Sequence, residues 1–329
     1  MKHVLITGGA GFIGSHLAER LIDRGDRVTV VDDESTGSAD NLRAIADHPR
    51  FQYHRGDVGQ PAVLAPLVEG IDEAYHLAAA VGVKLVAENP ARTIETNIQP
   101  TELLLRLLRD QLTGDPSRPV KLFLASTSEV YGKNPKPRWT EDDDLVWGKT
   151  TCMRWSYGAS KAIDEFLALA HHRQFGLPVV IGRLFNVVGP RQTGAYGMVL
   201  PRFAEAAAAG KPLLVHDDGL QSRCFAHVKD VVRWIVALME NPEATGQVVN
   251  IGGDEPITIE ELAQTVVRVA DSDSRIEHQS YRDAYGDDFE DVRHRVPDLS
   301  RLRDLTNLAP EYSLEETIAE VLAVLDSRK

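Results

Sequence analysis

A chain of 329 residues, 43% hydrophobic and 26% charged, has an ordinary globular composition and is long enough for two packed lobes rather than a disordered or collagen-like polymer. Its 36 basic and 49 acidic residues leave a formal net charge of -13, which excludes nucleic acid or an anionic membrane as the main partner and requires any phosphate to be gripped locally. Cys152 and Cys224 lack zinc-finger or C-x-x-C spacing and no apolar run approaches the roughly 18 residues of a membrane span, so no metal site, no disulfide framework and a cytoplasmic location are expected.

In chain order, apolar strand 4–6, helix 12–24, strand 28–31, helix 40–47, strand 51–55, helix 61–69 and strand 73–77 alternate as repeated βαβ units. Further strands at 122–124 and 179–181 flank a long helix at 157–175, which makes at least six strands. Helix 101–112 carries Leu103, Leu104, Leu105, Leu107, Leu108 and Leu112, leaving only the side with Arg106 and Arg109 polar. So wide a stripe predicts burial on two sides, either against the sheet and a second subunit of a homodimer or wholly inside one chain. The acidic stretch 141–144 reads as a solvated loop.

Beyond residue 186 the alternation gives way to Gly- and Pro-rich segments such as NVVGPRQTGAYG, and a substrate lobe is expected there. The fold class is therefore α/β, a Rossmann-type doubly wound parallel sheet with a smaller C-terminal α/β substrate-binding lobe. Residues 1–186 would bind the dinucleotide, with 222–252 returning to that unit, and 187–329 would mainly bind substrate. Thr258 with Glu261 and Ser313 with Glu316 have capping-box spacing ahead of two late helices.

The turn after the first strand reads Thr7-Gly8-Gly9-Ala10-Gly11-Phe12-Ile13-Gly14. Gly8 permits a tight turn, Gly11 lets backbone approach a pyrophosphate, and Gly14 lets helix and strand pack closely; the helix start at Phe12 and Ile13 supplies amides and a positive dipole end. The second strand ends at Asp32, which accepts hydrogen bonds from ribose hydroxyls and repels a 2'-phosphate, favouring NAD over NADP as cofactor. Asp33 beside it is an alternative for that role. Asp57, with Val58, is placed to meet the adenine, though an Asp in a turn needs no ligand to explain it.

Tyr157 and Lys161 form Y-x-x-x-K on one helix face. Joined to the glycine loop and to Ser126-Thr127-Ser128-Glu129-Val130-Tyr131-Gly132, they make the chain resemble the extended short-chain dehydrogenase/reductase family over essentially its whole length. The resemblance implies that Tyr157 is the base for a sugar hydroxyl, that Lys161, together with the positive charge of the nicotinamide, lowers the pKa of Tyr157 while holding the nicotinamide ribose, and that Thr127 bonds the same sugar oxygen. Within that family, dTDP-glucose 4,6-dehydratases carry Asp-Glu where this chain has Ser128-Glu129, and Ser128 cannot serve as their acid. GDP-mannose dehydratases have Thr-Ser-Glu as here, and UDP-glucose 4-epimerases usually lack a carboxylate at the Glu129 position.

Thr127 to Gly132, Arg154-Trp155-Ser156-Tyr157 and the segment 284–297 are similar to UDP-glucuronate decarboxylases. That likeness implies catalytic roles for Thr127, Ser128, Glu129, Tyr157, Lys161 and Arg295, and contacts of Asn186, Arg191, Arg202, Arg223, Phe289 and Arg295 with a UDP-sugar. Asn186 alternatively caps a turn, and Arg191 and Arg202 alternatively lie solvated on the surface. Val215-His216-Asp217-Asp218-Gly219 departs from the aromatic Gly-Asp-Gly loop common in relatives, which leaves the base open between uridine and thymidine. The implied chemistry is oxidation at C4 followed by decarboxylation of UDP-glucuronate to a 4-ketopentose or UDP-xylose; a 4-epimerase, a 4,6-dehydratase and a silent NAD-binding protein are the alternatives.

Overall fold

The computed structural model describes residues 1–80, 90–194, 198–281, 290 and 292–326. Its strands are β1 (His3–Thr7), β2 (Arg27–Asp32), β3 (Phe51–Arg55), β4 (Glu73–His76), β5 (Lys121–Thr127), β6 (Val179–Leu184), β7 (Val187–Val188), β8 (Leu213–His216), β9 (Ser222–Arg223), β10 (Ala226–His227), β11 (Val248–Ile251), β12 (Ile257–Thr258), β13 (Ile276–Gln279) and β14 (His294–Arg295). The helices are α1 (Phe12–Arg24), α2 (Pro61–Val68), α3 (Pro90–Gly114), α4 (Ser156–Phe175), α5 (Val199–Ala208), α6 (Val228–Glu240), α7 (Ile259–Val269), α8 (Ser300–Thr306) and α9 (Leu314–Asp326).

Seven strands form one parallel sheet in the order β11-β6-β5-β4-β1-β2-β3. The chain runs outward from β1 to β3 and then crosses back to β4 on the other side, so β1 and β4 bound the switch point where open α/β sheets receive ligands. The core strands read as continuous apolar runs because both faces are covered. Leu17, Leu21, Val231, Ile235 and Leu238 from α1 and α6 cover one face, while Leu64, Leu104, Leu108 and Ala168 from α2, α3 and α4 cover the other. A further apolar cluster joins α5, α7 and α9, with Leu200, Phe203, Leu262, Val266 and Ile318 at its centre. Both capping boxes form: Thr258 Oγ1 accepts from the Glu261 amide at 3.1 Å, and Ser313 Oγ accepts from the Glu316 amide at 3.2 Å.

Several local expectations need correction. The segment expected as helix 40–47 is a 3-10 stretch, Ala39–Ile45, opened by Ser38 accepting from the Asp40 amide. The helix expected at 101–112 begins at Pro90, and its Leu103, Leu104, Leu105 and Leu108 are buried within the single chain. Among the described residues, exposed large apolar side chains on these helices are instead Ile94 on α3 and Ile163, Phe166 and Phe175 on α4. The 141–144 stretch is only partly solvated: Asp143 is buried against Lys136 and Thr140, and Glu141 Oε1 accepts from the Asn250 amide at 2.8 Å.

Candidate active site

The glycine loop follows β1 at the switch point. Gly8 has φ +71, and a Cβ on it would stand 2.6 Å from the Ala78 amide nitrogen; a Cβ on Gly14 would stand 2.3 Å from the Gly8 carbonyl oxygen. Side chains would therefore fill the cradle or force the loop apart. Gly11 is the N-cap of α1 without a side-chain cap, which leaves the first-turn amides around Phe12 and Ile13 and the positive dipole end for an anion. Asp32 ties β2 to this loop, accepting from the Ala10 amide at 3.0 Å and the Glu34 amide at 2.8 Å, and burial pushes its carboxyl up. Asp33 instead is exposed and closes a turn with the Ser35 amide. Asp57 is exposed and closes a turn with Gly59, while Val58 is buried in the apolar layer under α2 and α3. The cradle, the uncapped helix start and the strand-end carboxylate fit a dinucleotide pyrophosphate and ribose.

One strand further along, β5 ends at Thr127, whose Oγ1 accepts from the Glu129 amide at 3.2 Å and opens the 3-10 turn 128–131. The start of α4 lies directly against that turn, since a Cβ on Gly158 would stand 2.4 Å from the Glu129 carbonyl oxygen. This contact brings Tyr157 to Thr127, whose hydroxyl hydrogen-bonds the phenol oxygen. Ser128 is buried in the same turn.

Glu129 points into the site between two guanidiniums, with Arg154 Nη1 at 2.5 Å from Oε2 and Arg295 Nη1 at 2.6 Å from Oε1. Burial alone would push the Glu129 carboxyl up, but the charges and hydrogen bonds of Arg154 and Arg295 outweigh it and hold the group well below the usual carboxylate range. Arg295 is on β14, which pairs in parallel with β9 so that Arg295 and Arg223 are direct neighbours across the ladder. Arg223 is buried and donates to the Ser222 carbonyl at 2.8 Å.

The arrangement of Tyr157 and Lys161 differs from the expectation. Lys161 Nζ donates to Asp164 Oδ2 at 2.7 Å, both groups being buried, so the ammonium is paired with a carboxylate instead of standing free to lower the Tyr157 pKa. Burial, then the charge of Glu129, push the Tyr157 phenol above its ordinary range, against the opposing hydrogen bond from Thr127.

The remaining candidates are dispersed. Asn186, at φ +31, donates from Nδ2 to the Cys224 carbonyl at 2.8 Å and so ties its loop to β9. Arg191 is turned onto α1, donating to Ser15 Oγ at 3.2 Å and Glu19 Oε1 at 2.5 Å, away from Arg223 and Arg295. Arg202 is half-buried on α5, and Phe289 lies outside the described residues. Sequence reasoning missed Arg154 and Asp164 as site residues. The available signals were a base one turn before Tyr157 and an acid one turn after Lys161. Among the described residues no cluster of His, Cys, Asp and Glu could hold a metal ion, and no helix is long and apolar enough to cross a membrane.

Residues 5–321 match the GDP-mannose 4,6 dehydratase family. A UDP-N-acetyl-alpha-D-glucosaminuronate decarboxylase of Bacillus cytotoxicus is 39% identical, covering 98% of this chain and 97% of the relative. UDP-glucuronic acid decarboxylase 1 of Arabidopsis thaliana is 35% identical over 99% of this chain and 70% of the relative. The crystal structure of a UDP-glucuronic acid 4-epimerase from Bacillus cereus, in complex with UDP-glucuronic acid and NAD, superimposes with TM-score 0.87 at 27% identity, covering 99% of this chain and 100% of that one. The chain belongs to the GDP-mannose 4,6 dehydratase family of extended short-chain dehydrogenases/reductases.

Proposed function

We propose that the protein is an NAD-dependent decarboxylase of a UDP-hexuronate, with UDP-glucuronate as substrate. The observation that carries this reading is the placement of Arg154 and Arg295 around Glu129, beside the Thr127–Tyr157 pair. Two cations facing one anion leave a net positive charge in a largely buried cluster, which matches a sugar bearing a C6 carboxylate better than one bearing a C6 hydroxyl. Arg223, the ladder neighbour of Arg295, and Asn186, tied to the Cys224 carbonyl beside it, support the reading, in which Arg223 would take the diphosphate.

Tyr157 removes the proton of the C4 hydroxyl as the C4 hydrogen departs with its electron pair. Bound NAD supplies the acceptor for that pair. The resulting C4 ketone is β to the carboxylate, so the C5–C6 bond breaks, carbon dioxide leaves, and the bonding pair enters an enolate on the C4 oxygen. Tyr157 and Thr127 donate hydrogen bonds to that oxygen, and a proton drawn from solvent adds at C5 as the enolate returns to the C4 ketone. Glu129, held ionised by Arg154 and Arg295, works as a charge partner, and Ser128 supports the turn that aims it. Gly8, Gly11, Phe12, Ile13, Gly14 and Asp32 would hold the dinucleotide, with Asp57 and Val58 flanking the adenine end and Lys161 reaching the nicotinamide ribose.

The likeness at 39% identity to a UDP-N-acetyl-glucosaminuronate decarboxylase supports a second reading, in which C2 bears an acetamido group. The C4 to C6 chemistry is the same for both sugars. Residues 1–186 with 222–252 form the dinucleotide-binding part and 187–329 mainly the nucleotide-sugar part. The exposed apolar face of α4 supports a homodimer packed on that helix.

The test is mass spectrometry and NMR of the products from UDP-glucuronate, UDP-N-acetylglucosaminuronate and UDP-glucose. Loss of carbon dioxide from a uronate supports the proposal and identifies the C2 group. An isomer of unchanged mass makes the protein a 4-epimerase, loss of water makes it a dehydratase, and no product from any of the three leaves an NAD-binding protein without this activity.

A further inference from the structure

Tyr157, Lys161 and Asp164 stand at i, i+4 and i+7 of α4 and so share one helix face. The chemistry proposed above uses the first two and leaves Asp164 without a role. Asp164 is fully buried and its Oδ2 accepts from Lys161 Nζ at 2.7 Å; burial pushes its carboxyl up, against the opposing charge and hydrogen bond of Lys161 and a hydrogen bond with Thr101. The nearby Thr101 hydroxyl donates to the Asn97 carbonyl at 2.9 Å. Burying a carboxylate is costly even when it is paired, and a fold that only needed to fill this space would place an apolar side chain there.

The charged groups packed around this face separate into those already engaged and those that act on Tyr157. Glu165, next in sequence, is held by Arg183 and Ser126. His76 on β4 bonds Thr7 Oγ1 at 2.7 Å and Thr101 Oγ1 at 3.1 Å; burial and the Lys161 charge push its imidazole down to about 3, so it is neutral. Glu129 and Arg154 also act on Tyr157, with Arg295 held on Glu129. This leaves Asp164 as the carboxylate paired with Lys161, and its own negative charge disfavours a phenolate at Tyr157.

We propose that Asp164 is a positioning residue, which holds the Lys161 ammonium back from Tyr157 and thereby governs how readily the phenol gives up its proton. The consequence for turnover rests on the decarboxylase reading, whereas the consequence for Tyr157 itself does not. A carboxylate in contact with the ammonium cancels most of the field that Lys161 would exert on a phenolate one helical turn away. With Asp164→Asn, an acceptor oxygen remains for the buried ammonium while the opposing charge is gone.

The direct measurement is a pH titration of Tyr157 by NMR in purified protein labelled at tyrosine Cζ, with NAD added and the Tyr157→Phe variant used to assign the resonance. Asp164→Asn is expected to lower the Tyr157 midpoint by about one pH unit, a typical effect of a nearby buried charge. Asp164→Glu, which keeps the charge, is expected to stay near the wild-type midpoint. The acid limb of the pH profile for carbon dioxide release should move down with the Asn variant, the KM for the sugar being unchanged. A midpoint that stays or rises in Asp164→Asn overturns the proposal, as does a loss of thermal stability without any movement of the midpoint. Asp164→Ser, which admits water beside the ammonium, answers the same question if the Asn variant does not fold. A lowered midpoint with no uronate turned over by any variant upholds the role of Asp164 and refutes the decarboxylase reading.

Discussion

Glu129 is clamped between Arg154 and Arg295, and the two arginines arrive from different elements: one from the turn before α4, the other from β14. Removing either cation weakens the attraction for a uronate carboxylate. Arg154→Ala is expected to lower kcat/KM for the uronate by about 10²-fold, the scale of truncating one partner of a buried charge pair, with NAD binding by fluorescence titration unchanged. Arg295→Ala should do the same, and normal turnover of both variants would remove the reason for choosing a uronate. Glu129 also predicts an acid limit. Its folded pKa is depressed, so its contribution to stability is present above the unfolded value of about 4.3 and is lost as pH falls through the lower folded value. The difference in melting temperature between wild type and Glu129→Gln should therefore narrow between pH 7 and pH 3. In the sequence Glu129 and Arg295 were legible through resemblance; Arg154 lay in a segment that carries the likeness but received no role, because its importance lies in a carboxylate that the fold brings to it.

The helix α4 carries most of the site, and its extent was readable from its pattern and from the glycine that follows Phe175 at φ +74. The beginning of α3 was not readable. Its first turns bury Thr93, Asn97 and Thr101 in place of an apolar stripe, and these side chains are needed because Asn97 accepts from the Ala80 amide and donates to Ser160, while Thr101 meets His76. A helix face that buries polar groups has no hydrophobic period to detect. The contact of α4 with the 128–131 turn makes Gly158 a sensitive position. Gly158→Ala would push the helix start from Glu129 and misplace Tyr157, with kcat falling by about 10²-fold and stability by about 1–3 kcal/mol, checked by initial rates and thermal melts. The outward face of α4 offers Phe166 at 68% exposure. If two copies pack on this face, Phe166→Glu yields monomers in sedimentation velocity, and an unchanged sedimentation coefficient rejects that interface.

Across the whole molecule, His16 on α1 meets the Pro190 carbonyl beyond β7 at 3.0 Å and joins the sheet layer to the chain leading into the C-terminal cluster. Burial pushes its imidazole down to about 4. The unfolded chain takes up this proton near pH 6.5 and the folded one only near 4, so the stabilisation is complete above 6.5 and lost as pH falls through that window, on the order of 3 kcal/mol. The melting temperature of wild type should fall more between pH 7 and 4 than that of His16→Gln; equal falls would show that His16 is not the titrating group. By itself the sequence determined the alternation of strands and helices, the glycine turn, the strand-end Asp32 and the Tyr157–Lys161 pair, because each is a matter of short spacing and local backbone geometry. Only the tertiary structure decided that Arg191 turns to α1, that Lys161 pairs with Asp164 within a sealed layer, and that Arg154, Glu129 and Arg295 converge. Those outcomes depend on strand order, which selects the loops and side chains that meet at one edge of the sheet, and on burial, which makes a charge seek a partner.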